Sequence, residues 1–407
     1  MYKLLAFLLL LVALSCQKAP AQLKSGSWQA RLSVQDAQIL PFIFEVHDDG
    51  TLTIKNAQER IMVDDVTISD NRIRIQTPVF EGYFEGVINP DGRVIKGEFI
   101  KPSLDRKVRF VMEYGISERF AATSSRDDAS IDLSGNWETV FSPNNPEDRY
   151  IAKGVFTQKG NVVNGTFRTT TGDYRYLEGM VEGNQFALST FDGAHAFLFK
   201  GQATDSTLEG IFYSGNHWKE VFRAKRNPSY ELPDATTLTY LKEGYDHISF
   251  SFPNSSGKMV TLDDPEFENK VVLVQILGSW CPNCLEETKF YTQYLKANPD
   301  LDLAIVGLAF EYAPTPEQAF KSIDRMVSRL DVPYPILLAQ YGTDDKKLAQ
   351  QKLPMLNHIL SYPTTIFIDK NAEIRRIHTG FNGKATAQVY TDFTQEFDRF
   401  VKKLANE

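Results

Sequence analysis

Residues 278–290 read GSWCPNCLEETKF, directly after the unbroken apolar run KVVLVQIL at 270–277. A continuous apolar strand suits the buried centre of a sheet. Past Gly278 and Ser279 a helical pattern begins at Cys281, runs to Ala297 and stops at Asn298-Pro299. Placing Cys281 at the helix N-cap puts Pro282 on the first helical position, where its missing N–H costs nothing. The unpaired amides and partial positive charge of a helix start favour an anion there. A thiolate at Cys281 is such an anion, which makes Cys281 the attacking sulfur. Cys284, in the first turn and more buried, is placed to attack the mixed disulfide that results.

Other uses of the pair fare worse. A zinc site needs about four ligands, but there is no second cysteine pair and the six histidines are scattered. No metal is expected. Haem attachment fails because position 285 is Leu. A disulfide across so short a loop would stabilise little. No Thr-x-x-Cys precedes the helix, which argues against a thiol peroxidase. Dithiol exchange remains, with no cofactor beyond the Cys281–Cys284 disulfide itself.

The chain has 407 residues, 42% apolar and 24% charged. That suits a soluble globular protein of two or three domains at roughly 150 residues each. The formal charge is −8, and the Lys/Arg clusters at 106–109, 219–226 and 375–376 are short. No nucleic-acid partner is expected.

The N-terminus, MYKLLAFLLLLVALSCQKAPAQ, has one lysine before an apolar run from 4 to 14. This run is short for a bilayer span and has the length of a signal-peptide core. Cleavage after residue 15 would leave Cys16 to be acylated, as in bacterial lipoproteins, although Ala13 and Leu14 are swapped relative to the usual order. Plain secretion and an uncleaved anchor are the alternatives. If Cys16 carries lipid, Cys281 and Cys284 are the only other cysteines.

Residues 26–114 and 134–226 read as two β-rich domains. PFIFEVHDDGTLTIKN turns at Asp49-Gly50, INPDGRVIKGEF turns at Asp91-Gly92, and NRIRIQT alternates strictly. SGSWQAR and SGNWETV set Trp28 and Trp137 at matching starts, where each reads as a core plug. This is the mark of a tandem of small antiparallel barrels or sandwiches. The polar stretch 116–133 reads as a linker. From about 240 to 407 strands alternate with helices, which implies an α/β sheet. TPEQ at 315–318 has the form of a capping box with proline at the first helical position. A last helix carries Tyr390, Phe393, Phe397, Phe400 and Leu404 at helical period.

Glu287 lies three residues after Cys284 on the same helix face. It is either a proton-handling group for the resolving thiol or an exposed helix glutamate. Glu286 points elsewhere and reads as solvated. In SYPTTIFID, Pro363 enters an apolar strand, either as a trans proline at its first residue or as a cis proline beside the dithiol.

Taken together, KVVLVQILGSWCPNC, the lead-in ISFSFPNSSGKMVTL and YPTTIFIDKNAEIRRIHTGF resemble the TlpA/ResA-type thiol–disulfide oxidoreductases of the thioredoxin superfamily. The resemblance covers residue 244 to the C-terminus. It implies a thioredoxin-like α/β domain with an extra helix after VGLAFEY. It also implies an exposed nucleophile at Cys281, a resolving thiol at Cys284 and an active-site glutamate at Glu287. Pro363 would be the cis-proline, and Tyr362 would pair its backbone with substrate as in β-augmentation. Trp280 and Pro282 are expected to bind substrate with Tyr362 and Pro363. Gln275 falls where thioredoxins keep a buried aspartate, which shifts proton handling toward Glu287. Pro282-Asn283 and Lys289 depart from the usual pattern and bear on redox direction and helix shape.

The expected activity is a lipid-anchored, periplasm-facing disulfide reductase. Its partners would be thiol- or disulfide-containing envelope proteins, with a membrane electron donor. The alternative is a binding or scaffold lipoprotein that uses its β-tandem, with the dithiol peripheral.

Overall fold

The computed structural model describes residues 23–121 and 129–407. The leader and Cys16 lie outside the described residues. No helix among those described is long and apolar enough to cross a membrane.

The first β-region is a nine-stranded antiparallel meander. Gly26–Ser33 pairs with both Ile39–Val46 and Arg106–Tyr114. The sheet ends at Glu59–Val63 on one edge and Val66–Ser69 on the other, which are adjacent in sequence yet do not pair. The second region closes. Tyr150–Lys159 pairs with both Gly135–Phe141 and Val162–Thr169, which completes an eight-stranded ring, with the two-residue strand Gly172–Asp173 hung on its rim. Strand crowding accounts for much of the glycine in these regions: a Cβ at Gly97 would meet Glu85 O at 2.0 Å, and one at Gly179 would meet Ala187 O at 1.8 Å.

Trp28 and Trp137 do the same job in both regions. Each is fully buried, and each indole Nε1 donates at 2.9 Å to the carbonyl four residues upstream, Lys24 and Leu133. The barrel interior is occupied by packed rings, with Phe167 and Phe199 at 4.9 Å and Phe199 and Phe212 at 4.6 Å. The open first sheet borrows cover from the barrel, whose Phe191 stacks on Phe42 at 4.5 Å.

One sequence expectation needs correction here. The stretch read as a linker contains a structural residue, Arg119, which is buried. It donates to Pro41 O and Asn56 Oδ1 of the first region and to Ser189 O of the barrel, and pairs with Glu178 at 3.5 Å. A polar run can be a spacer or a polar rivet, and local composition does not separate the two.

The C-terminal domain has a five-stranded sheet. Its strands are β1 (Val271–Leu277), β2 (Leu303–Phe310), β3 (Ile336–Gln340), β4 (Thr364–Ile368) and β5 (Ile374–Thr379), in spatial order β3-β2-β1-β4-β5. The first three run parallel, and β4 and β5 are antiparallel. All seven residues of the central strand β1 are buried. The helices are α1 (Pro282–Ala297), α2 (Pro316–Leu330), α3 (Lys346–Lys352) and α4 (Gln388–Ala405). Thr315 caps α2 by accepting from Gln318 N at 3.3 Å, with Pro316 at the first position. On α4, Phe397, Val401 and Leu404 face the core.

Replacing Arg119 with Ala leaves the buried acceptors Pro41 O, Ser189 O and Asn56 Oδ1 short of a donor at the seam between the β-regions. The variant is expected to lose about 1–3 kcal/mol of stability, the usual cost of unsatisfied buried acceptors. Its urea midpoint measures this, and an unshifted midpoint would contradict the rivet role.

Candidate active site

The strand-to-helix turn is built to hold one sulfur in place. Strand β1 delivers Gly278, where a Cβ would lie 2.5 Å from the Trp280 indole nitrogen. The Trp280 Nε1 donates to Phe310 O at 2.9 Å, and its ring meets Tyr312 and Tyr362 at 5.4 and 5.7 Å. Cys281 is the N-cap of α1 and Pro282 its first residue. The Cys281 sulfur accepts from the Cys284 amide at 3.2 Å and donates to Tyr362 O at 3.3 Å. Both cysteines are free thiols here. Burial, then the hydrogen bond and charge of Cys281, push the Cys284 thiol up. Cys284 thus holds its proton.

Glu287 is wholly buried. It accepts from Gln275 Nε2 at 2.8 Å and from the hydroxyls of Tyr291 and Thr365, each at 3.2 Å. Gln275 in turn accepts from the Tyr334 hydroxyl at 3.1 Å. Burial pushes the Glu287 carboxyl up to about 7, against the pull of its donors. A carboxyl that titrates near neutrality and carries charge that bears on Cys284 is chemically able to take or return a proton there. The Tyr362-Pro363 bond is cis.

Two placements differ from the sequence reading. Cys281 was expected to be exposed but is only 7% exposed. The barrel rim stands beside it: Asn283 Nδ2 donates to Asp173 O at 3.1 Å, and Ser361 Oγ donates to Thr171 O at 2.9 Å. Glu286 was read as solvated but is mostly buried, between Arg175 at 3.5 Å and Lys289 at 2.8 Å. Burial alone would raise its carboxyl, but the Arg175 guanidinium, with Lys289 and Lys384, outweighs that and holds it at about 2. Arg175 also pairs with Glu59 of the first sheet. Trp280 and Pro282 border different cavities. Trp280 borders a cavity of about 670 Å³, and Pro282 borders a separate one of about 510 Å³.

Sequence reasoning missed Glu311. This buried residue follows β2 and accepts from Ser279 N at 2.7 Å and Ser279 Oγ at 2.8 Å, which clamps the turn one residue before Trp280. Burial pushes its carboxyl up to about 7. An acidic residue directly after an otherwise apolar strand was the available signal.

Residues 231–392 match the Redoxin family model. A relative, the thioredoxin-like protein YneN of Bacillus subtilis, is 28% identical over 140 residues, which is 34% of this chain and 73% of that protein. Among solved structures, a thiol-disulfide oxidoreductase from Bacteroides fragilis aligns at 17% identity over 37% of this chain and 99% of its own, with a TM-score of 0.28. A thiol:disulfide interchange protein of the thioredoxin family from Chlorobium tepidum aligns at 19% identity over 40% and 98%, with a TM-score of 0.30. The C-terminal region is a thioredoxin-like domain of the redoxin type, preceded by a β-rich region with barrel-like sheets.

Glu287 and Glu311 ionise near pH 4.5 when unperturbed and near 7 when folded. Between those values the unfolded chain releases protons that the folded chain keeps, so these groups make stability fall as pH rises from about 4.5 to 7 and contribute no slope below. Glu287→Gln removes one such contribution. The stability of the variant relative to wild type is therefore expected to increase from pH 5 to pH 8, by on the order of 1–3 kcal/mol. Urea midpoints across that range measure this. A difference that stays constant or shrinks would contradict the assignment.

Proposed function

We propose that the protein is an envelope thiol–disulfide oxidoreductase that reduces disulfides of exported proteins. It would be held to the membrane by an acylated Cys16, face the periplasm and be recharged by a membrane-borne dithiol donor. The observation that carries the chemistry is the Cys281 sulfur at the cap of α1, in contact with the Cys284 amide, with the Cys284 thiol buried behind it.

The steps balance as follows. The Cys281 thiolate attacks one sulfur of a substrate disulfide. An S–S bond forms between enzyme and substrate, and the other substrate sulfur leaves as a thiolate and takes up a proton. Cys284 then gives its proton toward Glu287 and attacks the Cys281 sulfur, which releases the second substrate thiolate and leaves the Cys281–Cys284 disulfide. Two electrons have passed to the substrate. The donor dithiol returns them by the same exchange in reverse.

The hydrogen bond from Cys281 to Tyr362 O bears on timing. A thiolate has no proton to donate, so ionisation of Cys281 frees the Tyr362 carbonyl for an extended substrate backbone.

Cys281→Ser is expected to reduce turnover of a model disulfide to background. Cys284→Ser is expected to attack once and accumulate a mixed disulfide, visible by non-reducing mass spectrometry. The Cys281/Cys284 couple is expected near the reducing value of about −270 mV rather than the oxidising value of about −120 mV. Full activity in Cys281→Ser would end the proposal, and a potential near the oxidising value would reverse its direction.

A further inference from the structure

The cavity beside Trp280 is walled by all three parts of the chain. Its volume of about 670 Å³ falls within the ~300–1,000 Å³ of sites that enclose a small ligand. Tyr174, Phe197 and Trp218 of the barrel face it, as do Trp280 and Tyr312 of the thioredoxin-like domain. Leu360, two residues before Tyr362, forms part of its floor.

Its charge is the reverse of the chain's. The protein carries a net −8, yet this cleft holds Lys101, Arg106 and Lys346. Lys101 Nζ donates to Ala194 O and Lys346 Nζ to Leu360 O, both neutral acceptors. None of the three cations makes an ion pair among the described residues, and the Arg106 guanidinium is partly buried. The lining also holds two carboxylates, Glu220, which accepts from Ser142 Oγ at 2.5 Å and Tyr150 OH at 2.8 Å, and Asp344, exposed at the rim, so the cations outnumber them three to two. Burial first, and then the charges of Arg106 and Lys101, hold His217 in the same lining down at about 4. Lys346 is close enough to the Cys281 sulfur for their charges to interact.

We infer that this three-walled cleft selects the substrate of the dithiol, and that it takes a short, extended, acidic polypeptide segment with an aromatic side chain near its disulfide. The inference rests on the dithiol reading above. Aromatic walls interleaved with unpaired cations match a chain that presents apolar and carboxylate side chains by turns. A folded-protein surface fits poorly, because Cys281 is buried and the barrel rim is tied to the Ser361 loop. The β-tandem is then a specificity wall rather than a separate binding module.

The test uses the full chain and two short synthetic peptides, alike except that glutamates in one replace lysines in the other, each with a phenylalanine beside its cysteine. In one arm the cysteine is replaced by serine, and binding is read from tryptophan fluorescence. The acidic peptide is expected to bind about 10-fold more tightly than the basic one at low salt, and to lose that margin as salt rises. In the double variant Lys101→Gln, Arg106→Gln, with circular dichroism unchanged, the ratio is expected to fall to near one. Equal binding of the two peptides would overturn the inference, as would a preference that survives the double variant. A small dicarboxylate disulfide that competes as well as the acidic peptide would overturn the peptide assignment. In the second arm the cysteine is presented as a mixed disulfide and turnover is followed. Selective binding without turnover would sink the dithiol reading while supporting the cleft, and turnover without selectivity would do the opposite.

Discussion

The site depends on one sulfur held from two sides. Cys281 receives the amide of Cys284 from its own helix and reaches the carbonyl of Tyr362 from a loop 81 residues away. The first contact follows from local geometry, since an N-cap side chain is aimed at the open amides of the first turn. The second exists only because β1 and β4 pair in register, with Ile276 against Thr364. That pairing carries the proline loop to the mouth of the helix. Amide donor and carbonyl acceptor thus meet at a single atom, which as a thiol uses both and as a thiolate keeps only the amide.

Around the sulfur the protein keeps carboxyls that burial drives toward neutrality. Glu287 sits behind the dithiol and Glu311 beneath the turn that precedes it. Each is satisfied by neutral donors rather than by a cation. Neutral donors keep a buried carboxyl solvated without pinning its charge, so the proton stays exchangeable near pH 7. Glu286, adjacent in sequence to Glu287, shows the contrast. Arg175 and Lys289 surround it, and its carboxyl is held ionised. Two neighbouring glutamates are set to opposite tasks by what packs over them.

The β-regions take part in the site. The barrel is closed and filled with aromatic rings, so its interior is a core. Its rim is the chemically varied part. Asp173, Arg175 and Thr171 grip the start of α1 and the loop ahead of Pro363. The rim therefore narrows access to Cys281 and at the same time supplies aromatic surface beside it.

Much of the redox module was legible in the chain. The run KVVLVQIL could only be a buried strand, and Pro282 could begin a helix but not continue one, so Cys281 had to fall at the cap. Paired tryptophans marked the start of each β-region, and both proved to be buried plugs with the same indole bond. What the sequence left open were the partners that cross domains. Glu286 looked solvated because helical spacing assigns a face but not what covers it, and the barrel's Arg175 covers it. Arg119 looked like linker for the same reason. Spacing and capping depend on neighbours along the chain, so the sequence alone determined the strand, the helix start and the dithiol. The burial of Cys281, the burial-raised carboxyls and the cationic cleft arise from residues far apart in the chain, and only the tertiary packing could decide them.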